Sequence, residues 1–144
     1  MPLLPEETVG LDRVLSVLNR LRVSMVDDEY GLQRAIRDLL QTHAVPHRRE
    51  YRLGPRNRVD FLVDGGIAIE VKRGRMKPNR TSVIAQLERY AQSEEVSAVI
   101  LVVDRNLDVP KTLHGKPCLS FGLHKRTIFR GNRLWQSRCV LVLK

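Results

Sequence analysis

Cysteine is scarce in this chain: Cys118 and Cys139 are its two. The opening "MPLLPEETVG" offers no basic leader followed by a long apolar core, so secretion is not expected. The two cysteines then read as free, buried thiols of a reducing cytoplasmic setting, not as a disulfide framework. No Cys/His cluster has zinc spacing, which argues against a zinc-finger or zinc-ribbon domain. Apolar runs never approach the roughly 18 residues that span a bilayer. Aromatic residues make up 5% of the chain, so base stacking on an aromatic platform is not the obvious way to hold a ligand. Linkers, internal repeats and low-complexity tracts are missing too. The 144 residues are therefore expected to form one domain, 1–144, around one core.

Negative charge is also in short supply. Lys and Arg number 25 against 16 for Asp and Glu, a net +9. A small basic domain attracts polyanions, of which nucleic acid is the commonest. The cations are concentrated in "HRREYR" (47–52), "GPRNR" (54–58), "KRGRMKPNR" (72–80) and "HKR" (124–126).

Leu11, Val14, Leu15, Leu18 and Leu21 recur at helical spacing, which predicts an amphipathic helix over 10–23. A second helix, capped by Ser24 or Asp27, is expected to carry Leu32, Ala35, Ile36, Leu39 and Leu40 inward and to stop before Pro46. A strand over 48–53 follows. Further on, a helix from Thr81 or Ser82 to about Gln92 leads to the continuous apolar run "SAVILVV" (97–103), the pattern of a strand covered on both faces. Strand 66–72, that helix and strand 97–103 form a parallel βαβ crossover, expected to be right-handed. "CLSF" and "TIFRGNRLWQ" read as further strands, with Gly131-Asn132 as a two-residue hairpin turn and "RCVLVL" continuing the last strand. The fold class expected is α/β: a central mixed β-sheet flanked by helices, with an appended C-terminal β-hairpin.

Within this frame "VDFLVDGGIAIEVK" (59–72) places three charges in an apolar hairpin. A three-residue loop at Asp64-Gly65-Gly66 pairs Val63 with Ile67, Phe61 with Ile69 and Asp60 with Glu70. That register gathers Val59, Phe61, Val63, Ile67, Ile69 and Val71 on one face and Asp60, Glu70 and Lys72 on the other. Carboxylates directly opposite each other repel, so a compensating cation is implied, and magnesium suits one or two carboxylates plus water. Lys72 is placed to stabilise negative charge developing on a phosphate. A chain of this size holds roughly one Asp-gap-Glu-x-Lys spacing by chance. The weight therefore falls on the placement: across a hairpin, beside a basic loop, in a basic protein. Glu29 falls on the inward stripe of the second helix, as a first-turn acid or a further group aimed at the metal. Gln86 and Tyr90 stand one turn apart on the crossover helix, either as a packed helix surface or as an amide and a phenol reaching toward the site or toward DNA.

These residues resemble the PD-(D/E)XK nuclease superfamily. The matching core is "VDFLVDGGIAIEVK", within a helix–hairpin–helix–strand order over about 27–103. The resemblance implies a restriction-endonuclease-like fold and a Mg2+-dependent site, with Mn2+ able to substitute. By position it implies metal-binding acids at Asp60 and Glu70, a ligand carbonyl at Val71 and a catalytic lysine at Lys72. Glu29 is similar in placement to the extra helical glutamate of Holliday-junction resolvases. Gln86 and Tyr90 resemble the Q-x-x-x-Y motif of RecB-type nucleases. The chain departs from the pattern at Val59, where the superfamily name has proline. It has no four-cysteine set for an iron–sulfur cluster, and residues 104–144 match nothing recognisable.

The function expected is hydrolysis of DNA phosphodiester bonds by metal-activated water, as an endonuclease of repair, recombination, restriction or phage DNA processing. Arg56, Arg58, Arg73, Arg75, Lys77, Arg80 and Tyr90 are the expected DNA contacts. A homodimer is expected because a two-fold enzyme can address both strands. The competing readings are an inactive nucleic-acid-binding module of the same fold and a basic protein adaptor. Of these, only the adaptor predicts no salt-dependent affinity for DNA.

Overall fold

A computed structural model describes residues 5–22, 28–73, 79–103, 107–123, 127–130 and 133–134, the last two segments and residues 5–9 as backbone. Helix α1 (Pro5–Leu18) begins five residues before the expected start and ends before the expected stop. Proline suits the first turn, where its missing N–H is no loss. At the other end the chain tightens into turns, Arg20 N–H donating to the Val17 carbonyl and Leu21 N–H to that of Leu18. Leu21 is still buried, delivered by the turn. Helix α2 (Glu29–Thr42) is capped by Asp28, whose carboxylate accepts from Gly31 N–H at 2.7 Å. The caps expected at Ser24 or Asp27 lie outside the described residues. Leu32, Ile36 and Leu40 form its buried stripe.

Strands β1 (His47–Gly54), β2 (Asn57–Val63) and β3 (Ile67–Lys72) make an antiparallel meander. Helix α3 (Arg80–Ala91), capped by Asn79, crosses over to β4 (Ala98–Val103), which lies parallel to β3. After the short β5 (Thr112–Leu113) comes β6 (Lys116–Gly122), parallel to β4. β7 (Thr127–Arg130) runs antiparallel to β6, and β8 (Arg133–Leu134) to β7. The order is β1-β2-β3-β4-β6-β7-β8, with β5 pairing β6 off this path. The chain is thus α/β with a mixed, open sheet. Gly131, Asn132 and residues 135–144, including "RCVLVL", lie outside the described residues, so the appended hairpin stays an expectation.

Two cores form, one on each face of the sheet. α1 and α2 pack with Phe61, Val63, Ile67, Ile69, Val71, Ile100, Val102, Leu119 and Phe121. α3 packs over Val59, Ala68, Val99, Leu101 and Val103. β4 is buried at every position, as a strand covered on both sides requires. Cys118 is a free thiol in the second core, where burial pushes its pKa up to about 12. Among the described residues no helix is long and apolar enough to cross a membrane.

The hairpin register is as expected at Val63↔Ile67 and Phe61↔Ile69. Gly65 and Gly66 both take positive φ. At Gly66 a Cβ would meet the Glu95 carbonyl at 2.5 Å, so the turn is pressed against the segment leading into β4. Ser97 clasps it there: its N–H donates to the Gly66 carbonyl at 2.7 Å and its hydroxyl to that of Gly65 at 2.6 Å.

One element of the face assignment is corrected. Val59 joins the α3 core, while Phe61 and Val63 join the α1/α2 core. Regular alternation would keep residues 59, 61 and 63 together. The ladders skip Asp60: with β1, pairs flank it at Arg49↔Phe61 and Tyr51↔Val59 but none joins it to Glu50, and with β3 the pairing ends at Phe61↔Ile69, short of Glu70. Glu50 has φ +48, unusual for a non-glycine residue. The strand is distorted at Asp60 and re-aims its side chains, as bulges do beside functional sites.

Candidate active site

Asp60, Glu70 and Lys72 meet where β2 and β3 part. Asp60 does not complete the ladder with its backbone. Instead its carboxylate Oδ2 accepts from Val71 N–H at 2.8 Å. An extended residue turns its N–H and C=O to the same side, so the Val71 carbonyl also faces Asp60. Glu70 is 4% exposed, which excludes an ordinary surface Glu–Lys contact. Its face of the sheet is closed by α3, because Val83, Leu87, Tyr90 and Ala91 bury that helix against the strands.

Three groups converge on the Glu70 carboxylate. Tyr90 OH lies 2.8 Å from Oε1, Gln86 Nε2 donates to Oε2 at 3.2 Å, and Lys72 Nζ stands 3.3 Å from Oε2. Gln86 Nε2 also donates to Tyr90 OH at 2.8 Å. The phenol has one proton and two acceptors, since the Arg58 carbonyl lies 3.0 Å from it. The i, i+4 spacing of Gln86 and Tyr90 is what lets both reach one carboxylate. Tyr90 is 1% exposed, so it faces the site and not bound DNA. Its expected role as a DNA contact is thereby corrected: the ring fills the α3 core and the hydroxyl is committed to Glu70. The Arg58 carbonyl was not foreseen, because a backbone acceptor leaves no mark in residue type.

The electrostatics are those of an acid pair held together against its preference. Glu70 is pushed up to about 7, first by burial and then by the Asp60 charge; Lys72 and Tyr90 pull the other way. Asp60 is also raised, by burial first, with Glu29 adding to it and the Val71 N–H and Lys72 opposing. Tyr90 is raised by burial and by the neighbouring Glu70 carboxylate. Bringing such carboxylates together costs free energy that a cation between them returns.

Glu29, the first residue of α2, is half-buried and accepts from Arg73 N–H through Oε1 at 3.2 Å. It is near enough to raise Asp60, yet its carboxylate is engaged by the backbone just past Lys72. Among the described residues no three His, Cys, Asp or Glu side chains form a ready-made cage. The donor set is the buried Glu70 carboxylate, the half-buried Asp60 carboxylate and a carbonyl, with Glu29 further out. Hard oxygen donors of this kind fit magnesium, which binds through one or two carboxylates and keeps several waters.

The expected nucleic-acid contacts fall in three groups. Arg56 and Arg58 are exposed on the β1–β2 hairpin, with Arg58 3.7 Å from Glu50. Arg80 is exposed at the start of α3 and donates to the Asp108 carbonyl at 2.8 Å, and Arg73 is half-buried. Arg75, Lys77 and the "HKR" cluster lie outside the described residues. β3, β4 and β6 run parallel, and the charged groups sit at the carboxyl end of β3, where open α/β sheets place their ligands. No protein-family model, curated protein or solved structure matches the chain.

Proposed function

We propose that the protein is a metal-dependent nuclease of restriction-endonuclease-like fold that hydrolyses phosphodiester bonds in DNA. The observation that carries this reading is the pairing of buried Glu70 with half-buried Asp60 at the carboxyl end of β3, with Lys72 3.3 Å from Glu70. Asp60, Glu70 and the Val71 carbonyl would hold the cation, with Glu29 as an outer acid. A divalent cation bound there supplies Lewis acidity to a phosphoryl oxygen and lowers the pKa of coordinated water.

The chain's own groups do the rest. Val71 N–H fixes Asp60, while Gln86 and Tyr90 fix Glu70, so neither carboxylate must be ordered when substrate arrives. Lys72 stabilises the charge that develops on the phosphate. Arg56, Arg58, Arg73 and Arg80 attract the flanking backbone. A two-fold dimer addressing both strands belongs to the same reading.

The test is cleavage of duplex, single-stranded, flapped and four-way-junction DNA and of one RNA, by wild type and Lys72→Ala, with magnesium, manganese or chelator. Metal-dependent cutting that disappears in Lys72→Ala is expected. Binding without cutting on every substrate would replace the enzyme with a nucleic-acid-binding module.

A further inference from the structure

We infer that Arg52 and Arg58 clamp one phosphate of the substrate strand, the neighbour of the phosphate held at the acid pair. The inference rests on the nuclease reading and adds the anchor that sets the strand's position over the site. The two arginines are register partners in the β1–β2 ladder. Partners directly opposite each other point to one face of a sheet, with Cβ atoms about 5 Å apart. Two cations so placed repel, and both are exposed, so burial does not hold them there. Among the described residues Arg52 has no ion-pair partner. Arg58 has Glu50, but at 3.7 Å, beyond hydrogen-bond length. One acid for two arginines leaves a positive charge that an anion can neutralise.

The register also places the pair. β2 runs antiparallel to β3, so its first residues lie at the carboxyl end of β3, with Lys72. Arg58 precedes Asp60 by two residues, about 7 Å along the strand. Its carbonyl shares the Tyr90 hydroxyl with Glu70, at 3.0 and 2.8 Å, which ties the backbone under the clamp to the site. The neighbouring rung, Tyr51↔Val59, has Val59 in the α3 core and Tyr51 packed against it. The Arg52↔Arg58 rung therefore turns to the other side, away from α3. That is the open side of Asp60. α3 closes over Glu70, whereas Asp60 is half-buried and feels the charges of Glu29 on α2 and Glu50 on β1. A strand approaching Asp60 from this side meets the two arginines.

The chemistry favours a phosphodiester. A guanidinium is a planar fork that takes two phosphate oxygens at once, and it stays charged at every working pH. The hairpin tip that carries the pair is also fixed. Asn57 Nδ2 donates to the Arg89 carbonyl at 3.2 Å, which fastens the tip to α3. A clamp on a fixed tip holds its phosphate at a set distance from the acid pair, and so aligns the next bond with it.

The experiment has a binding arm and a cutting arm, each on wild type, Arg52→Gln, Arg58→Gln and Lys111→Gln. Lys111 is an exposed cation beside β6, across the sheet from the hairpin. In chelator, thermal melts are taken with and without inorganic phosphate, kept too dilute for general salt effects. Arg52→Gln is expected to melt about 1–3 °C above wild type without phosphate, because the like charges no longer face each other. It should lose the rise that phosphate gives wild type; Arg58→Gln should lose it too, and Lys111→Gln should keep it. In magnesium, oligonucleotides are cut that carry one neutral methylphosphonate at successive positions. Wild type should cut about tenfold more slowly when the neutral linkage adjoins the cut bond. Arg52→Gln should be slow on every substrate and indifferent to that linkage. An Arg52→Gln protein that keeps the phosphate response, or an equal loss in Lys111→Gln, would overturn the clamp. The two readings fail separately. Cutting by Arg52→Gln with undiminished sensitivity to the neutral linkage removes the clamp and leaves the nuclease. A phosphate response that needs both arginines, in a protein that cuts nothing, keeps the clamp and removes the enzyme.

Discussion

Glu70→Gln should make the metal-free protein more stable at alkaline pH while removing its function. The native Glu70 holds its proton up to about pH 7, against 4.5 for an ordinary glutamate. Between those values the native state binds more protons than the unfolded state, so stability falls as pH rises. The stability is fully present below pH 4.5 and is lost as pH passes through about 7. A rise from 4.5 to about 7 corresponds to about 3 kcal/mol, or roughly 10 °C in Tm for a domain of this size. Glutamine keeps the shape and the contacts to Tyr90 and Gln86 but cannot ionise, so this part of the pH dependence should vanish. The assay is urea unfolding in chelator at pH 5, 6.5 and 8 for both proteins. Wild type should lose about 3 kcal/mol relative to the variant across that range. Magnesium at pH 8 should return part of the loss to wild type and nothing to Glu70→Gln. Parallel stability curves for the two proteins would refute the buried acid pair.

Tyr90→Phe removes the hydroxyl shared by Glu70, Gln86 and the Arg58 carbonyl; unfolding midpoints should show a loss of about 1–3 kcal/mol, and a neutral result would mean water replaces it. Gly66→Ala should destabilise far more than Gly65→Ala, because the added methyl meets the Glu95 carbonyl at 2.5 Å in one case and open space in the other. Both have φ near +90°, so the positive-φ cost of about 1–2 kcal/mol is common to the pair and thermal melts isolate the clash. Neutralising Arg56 and Arg58 together should reduce the slope of log K against log salt by about 2 for DNA binding, and an unchanged slope would place the contact surface elsewhere.

Much of the fold was legible in the residues themselves. The Gly65-Gly66 pair and the alternation around it specify the hairpin register, because a one-residue slip would turn Phe61 and Ile69 to opposite faces. The unbroken "SAVILVV" gives a strand buried on both sides. The spacing of Gln86 and Tyr90 gives two side chains that reach one target, and the structure brings both to Glu70. What was not legible depends on departures from regularity. Val59 changes face because Asp60 takes a backbone N–H with its side chain, and parity arguments assume that the backbone does the pairing. The burial of Glu70 was hidden by its charge, which suggests an outer face until α3 is seen to close over it. The start of α1 was missed because its apolar stripe begins at Leu11, while its first turn is the polar "PEET". β5 is a two-residue strand, too short for any periodicity to reveal.

The clasp between Ser97 and the Gly65-Gly66 turn has a consequence for the order in which the molecule assembles. Parallel strands need a long excursion of chain to be closed before any pairing is gained. Here the closure comes first at the turn, one residue from the pair Ile67↔Ala98, where the β3–β4 ladder begins. From that point the two strands can zip without further loop entropy, pair by pair, to Lys72↔Val103. The charged end is the far end of the zipper. It is expected to form last, after the apolar pairs have fixed the register, and to open first when the ladder frays. Opening there also relieves the repulsion between Asp60 and Glu70. On the nuclease reading a bound cation would remove that relief, so metal loading and the closure of the last rungs would be one event, readable as magnesium-dependent protection from hydrogen exchange of the Glu70 and Lys72 amides, which turn toward β4 because that of Val71 turns to Asp60.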